Sequence, residues 1–332
     1  MASLRRVNVW VGNRHNSCSS HKLPPGGRGI KCTRAPWDVV QGKRLPRARC
    51  QSRPNEGIQK ADSVSKQCIE SLLANEVDAL MEFVPDDVCE ICLREKEKFV
   101  GAVLPTESLD FRDVIKFKDA GKFKLDSFAT RLLSTDVLSE IQVLSSMLLD
   151  GNRFVQRWQV EGSRGEEAIL TVTFGLHDTV IPAYRGVHVS KCWMIEEVAG
   201  EIPEIDVEIP TPDAKWPPEL IVEWQLDALR NGNFFGVYNF ASPQIRTSFG
   251  SPEKFGAMLQ SDTYSPLLFH EDRKIVSSKT VDGGALVQCV SVQASGSSKW
   301  HTFAWLVCRE EKGEFYNCWM TNGVLHQPFG RS

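Results

Sequence analysis

One stretch of this chain occurs twice, and the repetition constrains the fold more than any other feature. Residues 144–156 read LSSMLLDGNRFVQ, and residues 276–288 read VSSKTVDGGALVQ. Without gaps, the two share a Ser-Ser pair, an Asp-Gly step five residues on, and a closing Val-Gln. Asp-Gly between two apolar runs is a strong hairpin signal, because a tight turn between twisted strands needs residues that tolerate positive φ. The same hairpin is therefore expected inside two related domains.

The repeat extends in both directions. Residues 62–84 read as a helix pair, with Val64, Cys68, Ile69, Leu72 and Leu73 as an apolar stripe, a break at Asn75-Glu76, and a second stripe from Val77. Residues 219–241 repeat this plan, with Ile221, Val222, Leu226 and Leu229 before a break at Asn231-Gly232-Asn233. A third short helix follows in each copy, anchored by Phe128 and Phe255. Strands are then expected at about 140–149, 153–162, 167–177 and 185–196, and again at 272–281, 284–294, 299–309 and 314–322. Each copy ends on the same word, Cys192-Trp193-Met194 and Cys318-Trp319-Met320. Matching pieces in one order point to an internal duplication. Helices followed by an antiparallel meander predict an α+β class.

The expected division is a tail over 1–55, a first domain over 60–198, a linker over 199–218, a second domain over 219–325 and a short end over 326–332. Residues 90–124, rich in Lys and Phe, have no counterpart in the second copy and read as an insertion. Lys116, Lys118, Lys122 and Lys124 make it a basic cluster, either a docking surface or a solvated loop.

The net charge of −3 conceals an asymmetry. Residues 1–55 carry twelve Lys/Arg and one acid, whereas the remainder carries 27 basic and 41 acidic residues. An acid-poor, Arg- and Ser-bearing leader without an apolar core is the composition of a transit peptide. Its Met-Ala-Ser start favours a plastid over a mitochondrion, and hence the chloroplast stroma. The acidic body argues against nucleic-acid binding. The longest apolar runs, about six residues, are far short of the ~20 that span a membrane.

On these residues the second copy resembles a known family. Its segments VEWQLDALRNG from Val222, Phe240-Ala-Ser-Pro, Phe255-Gly-Ala-Met and Tyr264-Ser-Pro-Leu-Leu look like domain of unknown function 4864. That family is similar to the nuclear transport factor 2-like, or cystatin-like, superfamily. The resemblance implies two cones, each with N-terminal helices packed on a curved antiparallel sheet. It also implies two kinds of function, because the superfamily includes binding modules as well as isomerases, dehydratases and hydrolases with a carboxylate, His or Tyr inside the cone.

The candidate residues do not assemble into a catalytic set. Arg157, Trp158 and His177 in the first copy, and Tyr238, His301 and Trp305 in the second, are candidates to line a pocket. Arg157 and its alternating neighbours Gln159 and Glu161 form either the wall of a polar, anion-binding pocket or a solvated face. His301 beside Trp300 is either a base or a satisfied core histidine. The pair Cys89/Cys92 offers a redox switch or two core thiols, with Asp86, Asp87 and Glu90 expected to raise both thiol pKa values. No spacing implies a metal site or a cofactor.

The expected function is a non-catalytic binding or accessory module. Its partner would be a protein, a second copy of the chain or a small apolar ligand. The alternatives are an isomerase, dehydratase or hydrolase working in a cone, and a thiol-regulated factor.

Overall fold

The Asp150-Gly151 step turns the chain as its composition predicts. Both residues have positive φ, 51° and 68°, within a three-residue loop, 150–152, that joins the paired Leu149 and Arg153. The computed structural model describes residues 10–11, 57–100, 109–116, 123–183, 186–203, 211–281 and 284–327. The second Asp-Gly step, 282–283, lies outside these residues. So do nearly all of the expected transit peptide and parts of the expected insertion and linker, including Lys118 and Lys122.

The chain opens with β1 (Trp10–Val11). The first half then runs α1 (Gly57–Leu73), α2 (Val77–Leu80), α3 (Asp86–Val100), α4 (Phe111–Lys116), β2 (Lys124–Leu125) and α5 (Ser127–Thr135). A meander follows: β3 (Leu138–Leu149), β4 (Arg153–Gly162), β5 (Glu167–Ala183) and β6 (Gly186–Glu201). The second half runs α6 (Pro218–Arg230), α7 (Phe234–Asn239), α8 (Pro243–Phe249) and α9 (Pro252–Leu259). Its meander is β7 (Asp272–Thr280), β8 (Leu286–Gln293), β9 (Trp300–Arg309) and β10 (Trp319–Gln327). The architecture is α+β, with two antiparallel meanders. The strand orders are β2-β6-β5-β4-β3 and β1-β10-β9-β8-β7. The short strand β2 lies parallel to β6, and β1 lies antiparallel to β10.

Several boundaries differ from the sequence expectation. The last strand, expected over 314–322, starts at Trp319, because residues 314–317 form a turn in which Asn317 has φ 65°. β5 and β6 outrun their apolar alternation and continue their pairing as far as Ala183↔Gly186. Helix α8 was not foreseen. Ser242 caps it, Pro243 starts it, and Gly250 ends it at φ 73°, the left-handed position that favours glycine at a helix end. Residues 90–124 hold most of α3 and all of α4, so their described part is helical.

Alternation places the cores. On β4, Phe154, Gln156, Trp158 and Val160 are buried, while Arg157, Gln159 and Glu161 are exposed. The first core gathers Phe123, Phe128, Phe154, Trp158, Phe174 and Trp193 beneath α1–α5. The second gathers Phe240, Phe255, Phe303, Trp305 and Trp319 beneath α6–α9. Both halves belong to one compact unit, and Ile202, between them in sequence, packs against both cores. Helix α5 is fixed at its start by Asp126. Its Oδ1 accepts from Ala129 N at 2.7 Å, and its Oδ2 accepts from Gly200 N on β6 at 2.7 Å.

Candidate functional site

Charge is buried where the two halves meet. Three residues after the anchor Phe128, helix α5 carries Arg131 on its inward side, and that side chain is fully buried. The Arg131 Nε and Nη2 groups donate to Glu219 Oε1 and Oε2 at 2.8 and 2.9 Å. Its Nη2 and Nη1 donate to Glu166 Oε1 and Oε2 at 2.7 and 3.3 Å. Glu166 lies in the turn between β4 and β5, and Glu219 in the first turn of α6. From the second half, Arg309 donates to Glu166 Oε2 at 2.5 Å and to Asp136 Oδ2 at 3.2 Å. The Trp319 indole N–H donates to the same Glu166 oxygen at 2.8 Å.

Strand register explains the arrangement. Arg309, ending β9, pairs with Trp319, starting β10, so both side chains leave the same end of the second sheet on its inner face. The Trp319 ring lies 4.8 Å from the Arg309 guanidinium carbon and 5.5 Å from that of Arg131, within range of cation–π attraction. Burial opposes the charge on Arg131, but the flanking carboxylates of Glu166 and Glu219 outweigh it and raise its pKa. Burial also raises the Glu219 pKa, although Arg131 pulls it down. Burial is likewise the main cause that lowers the Arg309 pKa, against Glu166 and Asp136. Ionised groups this deep persist only when paired.

Beside this cluster, within the first half, lies a pocket of about 270 Å³. Leu72, Leu80, Phe111 and Leu133 are among its apolar lining, and Arg112 and Arg164 among its polar residues. Asp136 contributes to both the pocket and the charge cluster.

The candidates named from sequence do not converge on one site. Arg157 is exposed and donates to Glu201 Oε2 at 2.7 Å, on the solvated face of the first sheet. His177 Nε2 lies 3.1 Å from Glu196 Oε1 on that same face. Trp158 and Trp305 are buried inside their respective halves, each donating its indole N–H to a glutamine, Gln156 at 2.8 Å and Gln225 at 3.2 Å. Tyr238 is half-buried against Phe255 and donates to Arg246 O at 3.1 Å. His301 packs against His326 with ring centroids 5.7 Å apart, and burial lowers both pKa values.

Cys89 and Cys92 lie on α3. Cys92 is buried, and burial, reinforced by Asp113, raises its thiol pKa to about 11. Asp113 is 21 residues away in sequence, so it replaces the adjacent acids expected to act on this thiol. Among the described residues, no group of three or more His, Cys, Asp and Glu could hold a metal ion, and no helix is long and apolar enough to cross a membrane.

Sequence reasoning missed the buried charges, although a trace of them was present. A gap-free overlay places Arg131 on Met258 of the second half, so a charge stands opposite an apolar residue. Arg309 falls on the strand face otherwise formed by His301, Phe303, Trp305 and Val307. What was lacking was their partners, which lie far off in sequence: Glu166 and, from the opposite half, Glu219 for Arg131, and Glu166 and Asp136 from the opposite half for Arg309.

No curated protein matches the sequence. Among solved structures, the chain is similar to a cystatin-like protein from Ruminococcus gnavus ATCC 29149, at 11% identity and a TM-score of 0.22, covering 82% of this chain and 95% of that one. Residues 215–327 match the family described as domain of unknown function (DUF4864). The match spans α6–α9 and β7–β10, including Glu219, Arg309 and Trp319 but not Arg131, Asp136 or Glu166.

Proposed function

We propose that this chain is a non-catalytic binding module of the plastid stroma. It is built by tandem duplication of a nuclear transport factor 2-like cone and holds its partner or ligand outside the cone interiors. The filling of both interiors is the observation that carries this reading. Phe154, Trp158 and Phe174 in one half, and Phe255, Phe303, Trp305 and Trp319 in the other, are almost fully buried. Two of the glutamines among them are engaged: Gln156 with Ser65, Ser146 and Trp158, and Gln225 with Trp305, Thr321 and the Val237 carbonyl. Acid–base catalysis in such a cone needs a carboxylate or histidine facing a substrate cavity. The buried carboxylates of Glu166, Asp136 and Glu219 instead face arginines.

Hairpin register supports the duplication. Ser146 pairs with Gln156, and Ser278 pairs with Gln288. Each hairpin also has a register irregularity at the matching place, between Val143 and Ser145 in one and between Ile275 and Ser277 in the other. The basic, acid-poor first 55 residues support the plastid address.

Isolation of the protein from plastid extract, followed by native and denaturing mass spectrometry, tests the reading. A bound small molecule, a stoichiometric protein partner or a dimer is expected. A bare monomer that turns over a small-molecule substrate would overturn it.

A further inference from the structure

We propose that the pocket among α1, α2, α4 and α5 binds a small amphipathic anion, with an apolar body and a single carboxylate head. The proposal rests on the binding-module reading above and names its ligand class. The floor is apolar: Phe111 and Ile115 from α4, Leu80 from α2, and Leu138 at the start of β3 are all buried side chains that line it. A volume of about 270 Å³ lies near the lower end of ligand pockets, roughly 300–1,000 Å³, so the body must be small.

The polar groups around the pocket select the head. Asp136 lines it, but its carboxylate is already engaged. Its Oδ2 accepts from Arg309, and its Oδ1 accepts from Ser163 Oγ at 2.7 Å and from Val137 N at 3.0 Å. The Ser134 and Thr135 hydroxyls donate to Arg131 O at 3.0 and 2.8 Å. Beside the uncharged Asn75, two guanidinium groups line the pocket and can meet a ligand. Arg164 is exposed and donates to the Thr135 carbonyl at 3.1 Å. Arg112 is exposed on α4 and forms no ion pair among the described residues. Neither has a carboxylate partner there. A guanidinium holds a carboxylate through paired N–H donors, and the neighbouring apolar lining takes the hydrocarbon. The site lies among the first half's helices rather than inside a sheet's curve, so it is compatible with the filled interiors.

The test titrates octanoate, octanol and octylammonium into the full-length protein by calorimetry. Octanoate is expected to bind about tenfold more tightly than octanol, the scale of one charge-assisted contact, and octylammonium more weakly than either. Arg112→Gln and Arg164→Gln each reduce the octanoate affinity severalfold and leave that for octanol unchanged. Both positions are exposed, so the fold tolerates them, and melting curves check this. Ser134→Trp, at an exposed position lining the pocket, weakens octanoate and octanol together. Equal affinity for octanoate and octanol, or an undiminished preference in the Arg112→Gln/Arg164→Gln double variant, overturns the assignment of an anion while the pocket stands. If neither molecule binds, the pocket is not a ligand site, and the anion proposal falls with it. The binding-module reading would then rest on a protein partner alone.

Discussion

Arg131 and Glu219, 88 positions apart, form two parallel hydrogen bonds of 2.8 and 2.9 Å in a fully buried seam. The guanidinium comes from the last helix before the first meander, and the carboxylate from the first helix of the second half. Arg131, already paired with Glu166 of its own half, therefore completes its hydrogen bonding only with a carboxylate from the other half. Arg131→Met is expected to destabilise the protein by about 3–5 kcal/mol, because two buried carboxylates lose a shared partner. Urea unfolding measures this. Arg157→Ala, which breaks the exposed pair with Glu201, is expected to cost no more than about 1 kcal/mol. Equal costs for the two variants would mean that the seam contributes nothing beyond a surface pair.

Gln156 and Gln288 provide an internal control for buried polarity. Both are about 98% buried and occupy the same place in their hairpins. Gln156 has three side-chain partners, whereas Gln288 Oε1 and the nearby Ser278 Oγ have none. The overlay that places Ile69 on Leu226 places Ser65 on Val222, so the second half lacks the helical hydroxyl that serves the first. Gln288→Leu is expected to be neutral or stabilising in thermal melts. Gln156→Leu should cost about 1–3 kcal/mol, because it strands the Trp158 indole N–H.

His270 is expected to make the protein acid-sensitive. Its ring is buried, and Nδ1 lies 2.9 Å from the Leu267 carbonyl oxygen. Burial lowers its pKa below 6.5. The nearby Arg273 and Arg230 lower it further, against the pull of the Leu267 carbonyl and Asp227. The folded state therefore binds this proton less readily than the unfolded chain. The associated stability is present above pH 6.5 and is lost as the pH falls through the depressed folded value. Melting temperatures of the wild type are expected to fall more steeply than those of His270→Gln between pH 7.5 and 5. Parallel curves would count against this assignment.

Native alkylation separates the thiols by burial. Cys68 and Cys92 are both buried, with thiol pKa values raised to about 12 and about 11. At pH 8 almost none of either is thiolate, so iodoacetamide is expected to leave both unmodified until the protein unfolds. Mass spectrometry of tryptic peptides reads this directly. Rapid labelling of Cys92 in the folded protein would revive a redox role for the Cys89/Cys92 pair.

The elements that were legible in the sequence are those fixed by local chemistry. The Asp150-Gly151 turn, the alternation on β4 and the helical stripes around Ile69 and Leu226 depend on residues a few positions apart, where periodicity and φ preferences act. The polar outer face of the first sheet was also readable, since Arg157, Gln159 and Glu161 alternate with Phe154, Trp158 and Val160 after the bridging Gln156. Helix α8 escaped because its seven residues, about two turns, are too few to show an apolar period, and its boundaries rest on caps. The start of β10 escaped because the preceding turn uses Asn317 at positive φ inside a run rich in aromatic residues.

By itself, the sequence determined that helices precede meanders and that this order occurs in both halves. Each of these follows from side-chain period. Only the tertiary structure decided which charges are buried together. Arg131, Glu166, Glu219 and Arg309 are scattered over some 180 positions. A buried ion must find a partner wherever in the chain that partner lies, and no local rule of spacing records such a meeting. The same holds for the pocket, whose floor and rim come from helices and turns that only packing brings side by side.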